Sequence, residues 1–95
     1  GRHNMLKTEF EELTRKDVTS EDYKIIEEVY TWHPAIDGRN GKRQIADLYL
    51  NFGMRIIRDM LPTAEKAKTL SEEIRVQRAK LSELEHEYTK LRAGV

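Results

Sequence analysis

The chain has 95 residues, seventeen of them basic and seventeen acidic, with no cysteine and zero formal net charge at pH 7. This length bounds it to one small domain plus one extended element. The missing cysteines exclude a disulfide framework and thiolate chemistry; with no secretory signal and no apolar run near the ~20 residues that span a bilayer, the expectation is a cytoplasmic protein.

Gly1-Arg2-His3-Asn4 ahead of Met5 reads as an expression remnant over positions 1–4, so His3 is set aside. Thr8-Glu9-Phe10-Glu11 has the form of a capping box, a hydroxyl followed three residues later by a glutamate. Leu6, Phe10 and Leu13 share one helical face, which predicts a short helix near 8–15. Thr19 or Ser20 caps the next helix, with Glu21 and Asp22 in the first turn, where the helix dipole favours negative charge. Its apolar residues, Tyr23, Ile25, Ile26, Val29, Tyr30 and Trp32, make a wide stripe that predicts packing on more than one neighbour. Pro34 ends it, because the residue before a proline is pushed out of helical geometry.

Residues 34–41 contain Asp37-Gly38 and Asn40-Gly41, two turn signals without flanking strand alternation, and predict a loop. A third helix is expected over about 42–61, with Ile45, Leu48, Tyr49, Phe52, Ile56 and Met60 at helical spacing. Gly53 is its weak point and marks either a close helix contact or a break. Pro62 suits the first position of a fourth helix, where its missing amide costs little, and that helix should run to about Ala93. The expected fold class is all-α: a small helical head of about three helices over 5–61, followed by a long C-terminal coiled-coil helix in 62–95.

That last segment carries the most specific pattern. Ala67, Ile74, Leu81 and Tyr88 alternate with Leu70, Gln77, Leu84 and Leu91 in steps of three and four, the seam of a coiled coil. In a parallel homodimer each residue before the seam faces the residue five further along the other chain. The pairs are Glu73–Arg78, Lys80–Glu85 and Glu87–Arg92, all attractive. Gln77 at a core position favours one register, because a buried amide wants an amide across the seam. Tyr88 is bulky there but can lift its hydroxyl to water. The alternative is that this helix folds back on its own head. The narrow seam and matched flanks favour self-association, parallel over antiparallel.

Charge is uneven along the chain. Residues 1–38 hold Arg2, Lys7, Arg15, Lys16 and Lys24 against nine acids, for −4; residues 39–61 hold Arg39, Lys42, Arg43, Arg55 and Arg58 against Asp47 and Asp59, for +3; residues 62–95 come to +1. Within the basic stretch, residues 45–61 resemble a loose helix-turn-helix, with Ala46 as the small residue, Gly53 at the turn and Ile56 or Ile57 as anchor. Arg55 and Arg58 would then face DNA, with Lys42 and Arg43 on phosphates. The glycine comes about three residues late for that motif, the second helix would end at Pro62, and zero net charge opposes it. A second candidate surface is Trp32-His33-Pro34 at a helix end beside the glycine-rich loop; its bland reading is a tryptophan filling the core and a histidine near a helix C-terminus.

His33 and His86 are far apart, so no metal-ligand spacing exists; nor does a nucleophile–histidine arrangement or a phosphate-cradling loop. The expectation is no cofactor, no small-molecule substrate and no enzymatic activity. Phe10-Glu11-Glu12-Leu13-Thr14, Glu21-Asp22-Tyr23, Val29-Tyr30-Thr31-Trp32-His33-Pro34 and Ile45-Ala46-Asp47-Leu48-Tyr49 together resemble small accessory proteins of phage and mobile elements. That resemblance implies either a small regulator of transcription or an inhibitor docking on a host or defence protein, and carries over no functional residues. The favoured expectation is a self-associating interaction protein whose head binds a macromolecular target, protein before DNA, through Trp32, His33, Arg39, Lys42, Arg43, Arg55 and Arg58. A dimeric DNA-binding regulator and a small phage-encoded inhibitor are the alternatives.

Overall fold

The computed structural model describes residues 4–94, and among these it is all helix and connection, with no strand. Of the expected remnant at positions 1–4, residues 1–3 lie outside the described residues. Four helices follow in order: α1 (Lys7–Thr14), α2 (Ser20–Trp32), α3 (Gly41–Phe52) and α4 (Met54–Ala93). The molecule measures 66 × 22 × 21 Å, because α4 runs far beyond the head that the other three build around its first turns. No helix among the described residues is long and apolar enough to cross a membrane.

Helix α1 starts one residue earlier than its sequence suggested, and Thr8 is not its cap. Leu6 occupies that position and has no side-chain oxygen to offer, so only the carboxylate half of a capping box forms, with the Leu6 N–H donating to Glu9 Oε1 at 3.0 Å. Arg15, in the left-handed region at φ 56°, ends the helix. Thr19 caps α2 as expected: its Oγ1 accepts the Asp22 N–H at 3.1 Å. Helix α2 stops at Trp32, and His33 before Pro34 is extended at ψ 126°. The wide stripe of α2 does pack on two neighbours, α4 and α3.

The loop before α3 is tied by polar contacts. Arg39 N–H donates to Asp37 Oδ1 at 2.9 Å, the turn that Asp37-Gly38 signalled. Gln44 clamps the loop from inside α3, its Oε1 accepting from Asp37 N–H and its Nε2 donating to Ala35 C=O, each at 2.8 Å. Gly41 opens α3 where a Cβ would stand 3.0 Å from the side chains of both Ile36 and Tyr30, so a larger residue there would make both give by a few tenths of an ångström.

The boundary between the last two helices differs from the expected one. The chain breaks at Gly53, not at Pro62. Gly53 has φ 75° and ψ −169°, a conformation essentially closed to other residues, and it separates α3 from α4. Pro62 lies well inside α4, where it removes the amide that would have bonded the Arg58 carbonyl. Arg58 and Pro62 are both exposed, so water can donate to the Arg58 carbonyl in place of the missing amide. The helix-turn-helix expectation of a short second helix ending at Pro62 is therefore corrected: that helix has 40 residues.

The core is a single cluster. Phe10, Ile26, Val29, Ile45, Ile57 and Ala64 are fully buried, joined by Met5, Tyr23, Tyr30, Ile36 and Ala46. The Phe10 ring meets Tyr49 edge-on at 5.2 Å, pinning α1 to α3. The Tyr23 hydroxyl donates to the Met5 carbonyl, so the chain entering α1 is held against α2. Burial, and after it the carboxylates of Glu27 and Glu9 and the neighbouring Tyr30, pushes the Tyr23 hydroxyl up to about 12.

Candidate functional site

Helix α4 presents two faces. Ile57 and Ala64 are buried and Leu61 packs on the core; with Lys68 they follow steps of four, three and four along one side, and Lys68 ends that run 3.4 Å from Glu28 of α2. The seam lies elsewhere. At 3.6 residues per turn, Thr63, Ala67, Leu70 and Ile74 sit roughly 120° around the helix from that side. Beside the head, Ile56, Met60 and Ala67 on that side are half-buried and Thr63 is exposed; from Thr69 onward α4 has left the head and every residue to Gly94 is exposed.

From Leu70 onward the seam is bare. Leu70, Ile74, Leu81, Leu84, Tyr88 and Leu91 are all exposed, Leu81 at 56 % and Leu91 at 70 %; Gln77 lies exposed among them, and Ala67 is half-buried at the edge of the head. About 25 residues of helix, roughly 37 Å at ~1.5 Å per residue, carry them away from the head. The flanking residues Glu73, Arg78, Lys80, Glu85, Glu87 and Arg92 are exposed beside them. The Arg92 guanidinium lies 5.9 Å from the centre of the Tyr88 ring. A shallow, mainly apolar hollow of about 320 Å³ is lined by Leu70, Glu73, Ile74, Gln77, Arg78 and Leu81. Coiled-coil packing seats each core side chain in a hole made by four residues of the facing helix. Leu70, Glu73, Ile74 and Gln77 make one such hole, and Ile74, Gln77, Arg78 and Leu81 make the next.

No family model, curated protein or solved structure matches this chain.

The seven candidate residues of the head do not form one surface. Arg39, Lys42 and Arg43 come together around a hollow of about 530 Å³, but Glu9 and Glu12 share its wall. Lys42 Nζ is 2.8 Å from Glu9 Oε2, joining α3 to α1. That contact raises the Lys42 ammonium above its ordinary value and, with the Leu6 N–H, holds the Glu9 carboxyl below its own. Arg58 Nη2 is 3.0 Å from Asp22 Oδ1 and staples α4 to the start of α2. Two of the five cations of the basic stretch are thus engaged in ion pairs across the head. Arg55 lies apart, in a small hollow with Phe52, Ile56 and Asp59.

Trp32 packs partly on the core and lines a hollow with Met5, Leu6, Glu27, Glu28 and Thr31. His33 Nδ1 accepts the Ala35 N–H at 3.1 Å, so this nitrogen stabilises the turn after α2 instead of reaching back to helix carbonyls. Phe52 belongs by spacing to the apolar stripe of the third helix, yet the residue is 63 % exposed. Helical spacing alone could not have shown this, because a stripe gives the side of a helix and not whether another element reaches its last turn.

Proposed function

We propose that this protein is a non-enzymatic interaction module that pairs with a second copy of itself through residues 67–91 in parallel. The observation that carries the reading is the apolar seam that α4 carries past its own head into solvent. Folding of one chain leaves six large apolar seam residues in water, and a second seam is the surface that matches them in shape and period.

Two features favour the parallel arrangement. In a fully overlapped antiparallel pair, Glu73 would face Glu87, while Lys80 and Arg78 would each face their own copy, all like charges. Parallel pairing replaces these with Glu73–Arg78, Lys80–Glu85 and Glu87–Arg92. The same antiparallel overlap sets the Gln77 amide against Leu81, whereas parallel pairing sets it against a second Gln77. In parallel the two heads lie at one end, each displaced to the side of the seam, so their surfaces can engage one target bivalently. A protein target suits the mixed charge of the 39–43 hollow better than DNA does, because Glu9 and Glu12 stand among the cations there.

Solution mass by light scattering tests this at two protein concentrations. The expected mass is twice the 11.2 kDa of one chain. A single-chain mass at both concentrations would overturn the reading.

A further inference from the structure

The spacing that defines the seam does not stop at Ala67. Going back toward the head, Thr63, Met60 and Ile56 precede it in steps of four, three and four, the same rhythm as 67, 70, 74 and 77. Thr63 is exposed on the seam side of α4, and the head leaves Ile56 and Met60 only partly buried. At the top of this line stands Phe52, exposed across the Gly53 break, where it frames a hollow of about 290 Å³ with Arg55, Ile56 and Asp59. Phe52 takes no part in the core cluster.

We propose that the contact between two copies continues from Ala67 along α4 through Thr63 to Ile56, and that Phe52 of each chain packs against the second copy at the head end of the coil. This rests on the parallel seam proposed above. Continuity of the apolar line favours a second copy as occupant: a helix that follows the seam in register arrives at Thr63 and Ile56 without a turn. The rim supports this, because Arg55 and Asp59 are of opposite charge and leave the hollow neutral, which suits an apolar side chain and not a phosphate. Need supports it too. The seam has only three and a half heptads, and Gln77 and Tyr88 occupy two of its core positions, so about one and a half further heptads add apolar contact where pairing is weakest.

The chain has no cysteine, so an introduced one reports on itself alone. In the full chain, Leu84→Cys and Thr63→Cys, each oxidised and run without reductant, read the seam and its extension separately. Phe52→Gln with sedimentation equilibrium reads the head end, and circular dichroism confirms that each variant folds. Expected are cross-linked dimers from both cysteine variants and a rise in Kd of about tenfold or more for Phe52→Gln, the size of an ordinary interface truncation. Cross-linking at position 84 without cross-linking at 63 would overturn the extension and leave the seam standing. Cross-linking at both with an unchanged Kd for Phe52→Gln would overturn the part assigned to Phe52. Failure at position 84 would remove the parallel seam and this proposal with it.

Discussion

Lys68 holds its ammonium 3.4 Å from the Glu28 carboxylate, and at that point α4 leaves the head. Two residues further on, Leu70 is exposed, and the rest of the seam follows it into solvent. One helix is thus divided by function: its first turns complete a core, and its last turns offer an apolar edge. An exposed ion pair of this kind contributes a few tenths of a kcal/mol, so burial of Ile57 and Ala64 holds the near end of α4 in place.

Leu81→Asp should reduce the mass in solution to that of one chain, because pairing would bury two carboxylates without partners. Leu81 is far from the core, so the near-ultraviolet signal of Trp32 and the core tyrosines should persist in the monomer. Loss of that signal together with the dimer would mean that the head depends on pairing for its fold.

Glu73→Lys combined with Glu87→Lys should weaken the dimer by roughly 2 kcal/mol, since two-fold symmetry turns four attractive pairs repulsive at a few tenths each. Arg78→Glu combined with Arg92→Glu should do the same. Mixing the two double variants should restore pairing as a heterodimer, detectable by native mass spectrometry. A mixture that stays unpaired would argue for antiparallel or unrelated packing.

Gly53→Ala should destabilise the head by about 1–3 kcal/mol. No heavy atom lies within 4 Å of a Cβ built there, so the cost comes from the backbone at φ 75° and not from a clash. A thermal melt should shift down by several degrees or more. An unchanged midpoint would show that the break can relax into a helical connection between α3 and α4.

Stability should fall as pH rises from about 10 toward 12. The Tyr23 hydroxyl is held at about 12 against an ordinary 10.0, so the unfolded chain loses this proton first and the folded chain keeps it longer. The contribution is complete below pH 10 and disappears as pH climbs through 12. Lys42, raised by Glu9, adds to the same trend. Tyr23→Phe should lower stability at neutral pH by ~1 kcal/mol through loss of the bond to the Met5 carbonyl, and flatten the decline between pH 10 and 12. Denaturant titrations at pH 7, 10 and 12 on both chains would check it; parallel declines would assign the trend to other groups.

The sequence by itself determined what is written in local spacing. The heptad from Ala67 to Leu91, the Thr19 cap, the stop before Pro34 and the all-α class each depend on residues within a turn or two of one another, where backbone geometry and side-chain period act directly. Tertiary structure decided the rest. Gly53 and Pro62 were both able to punctuate residues 42–93, and packing of Ile57 and Ala64 on α2 carried α4 straight through the proline. Lys42 and Arg58 read as free cations in the chain, yet each meets an acid more than thirty positions away, Glu9 and Asp22, which no local pattern joins to it. The seam was legible as a stripe, but that it stands in solvent follows only from where α4 leaves the head, after Lys68. Periodicity fixes angles around a helix axis; what lies at each angle is set by contacts between parts of the chain distant in sequence.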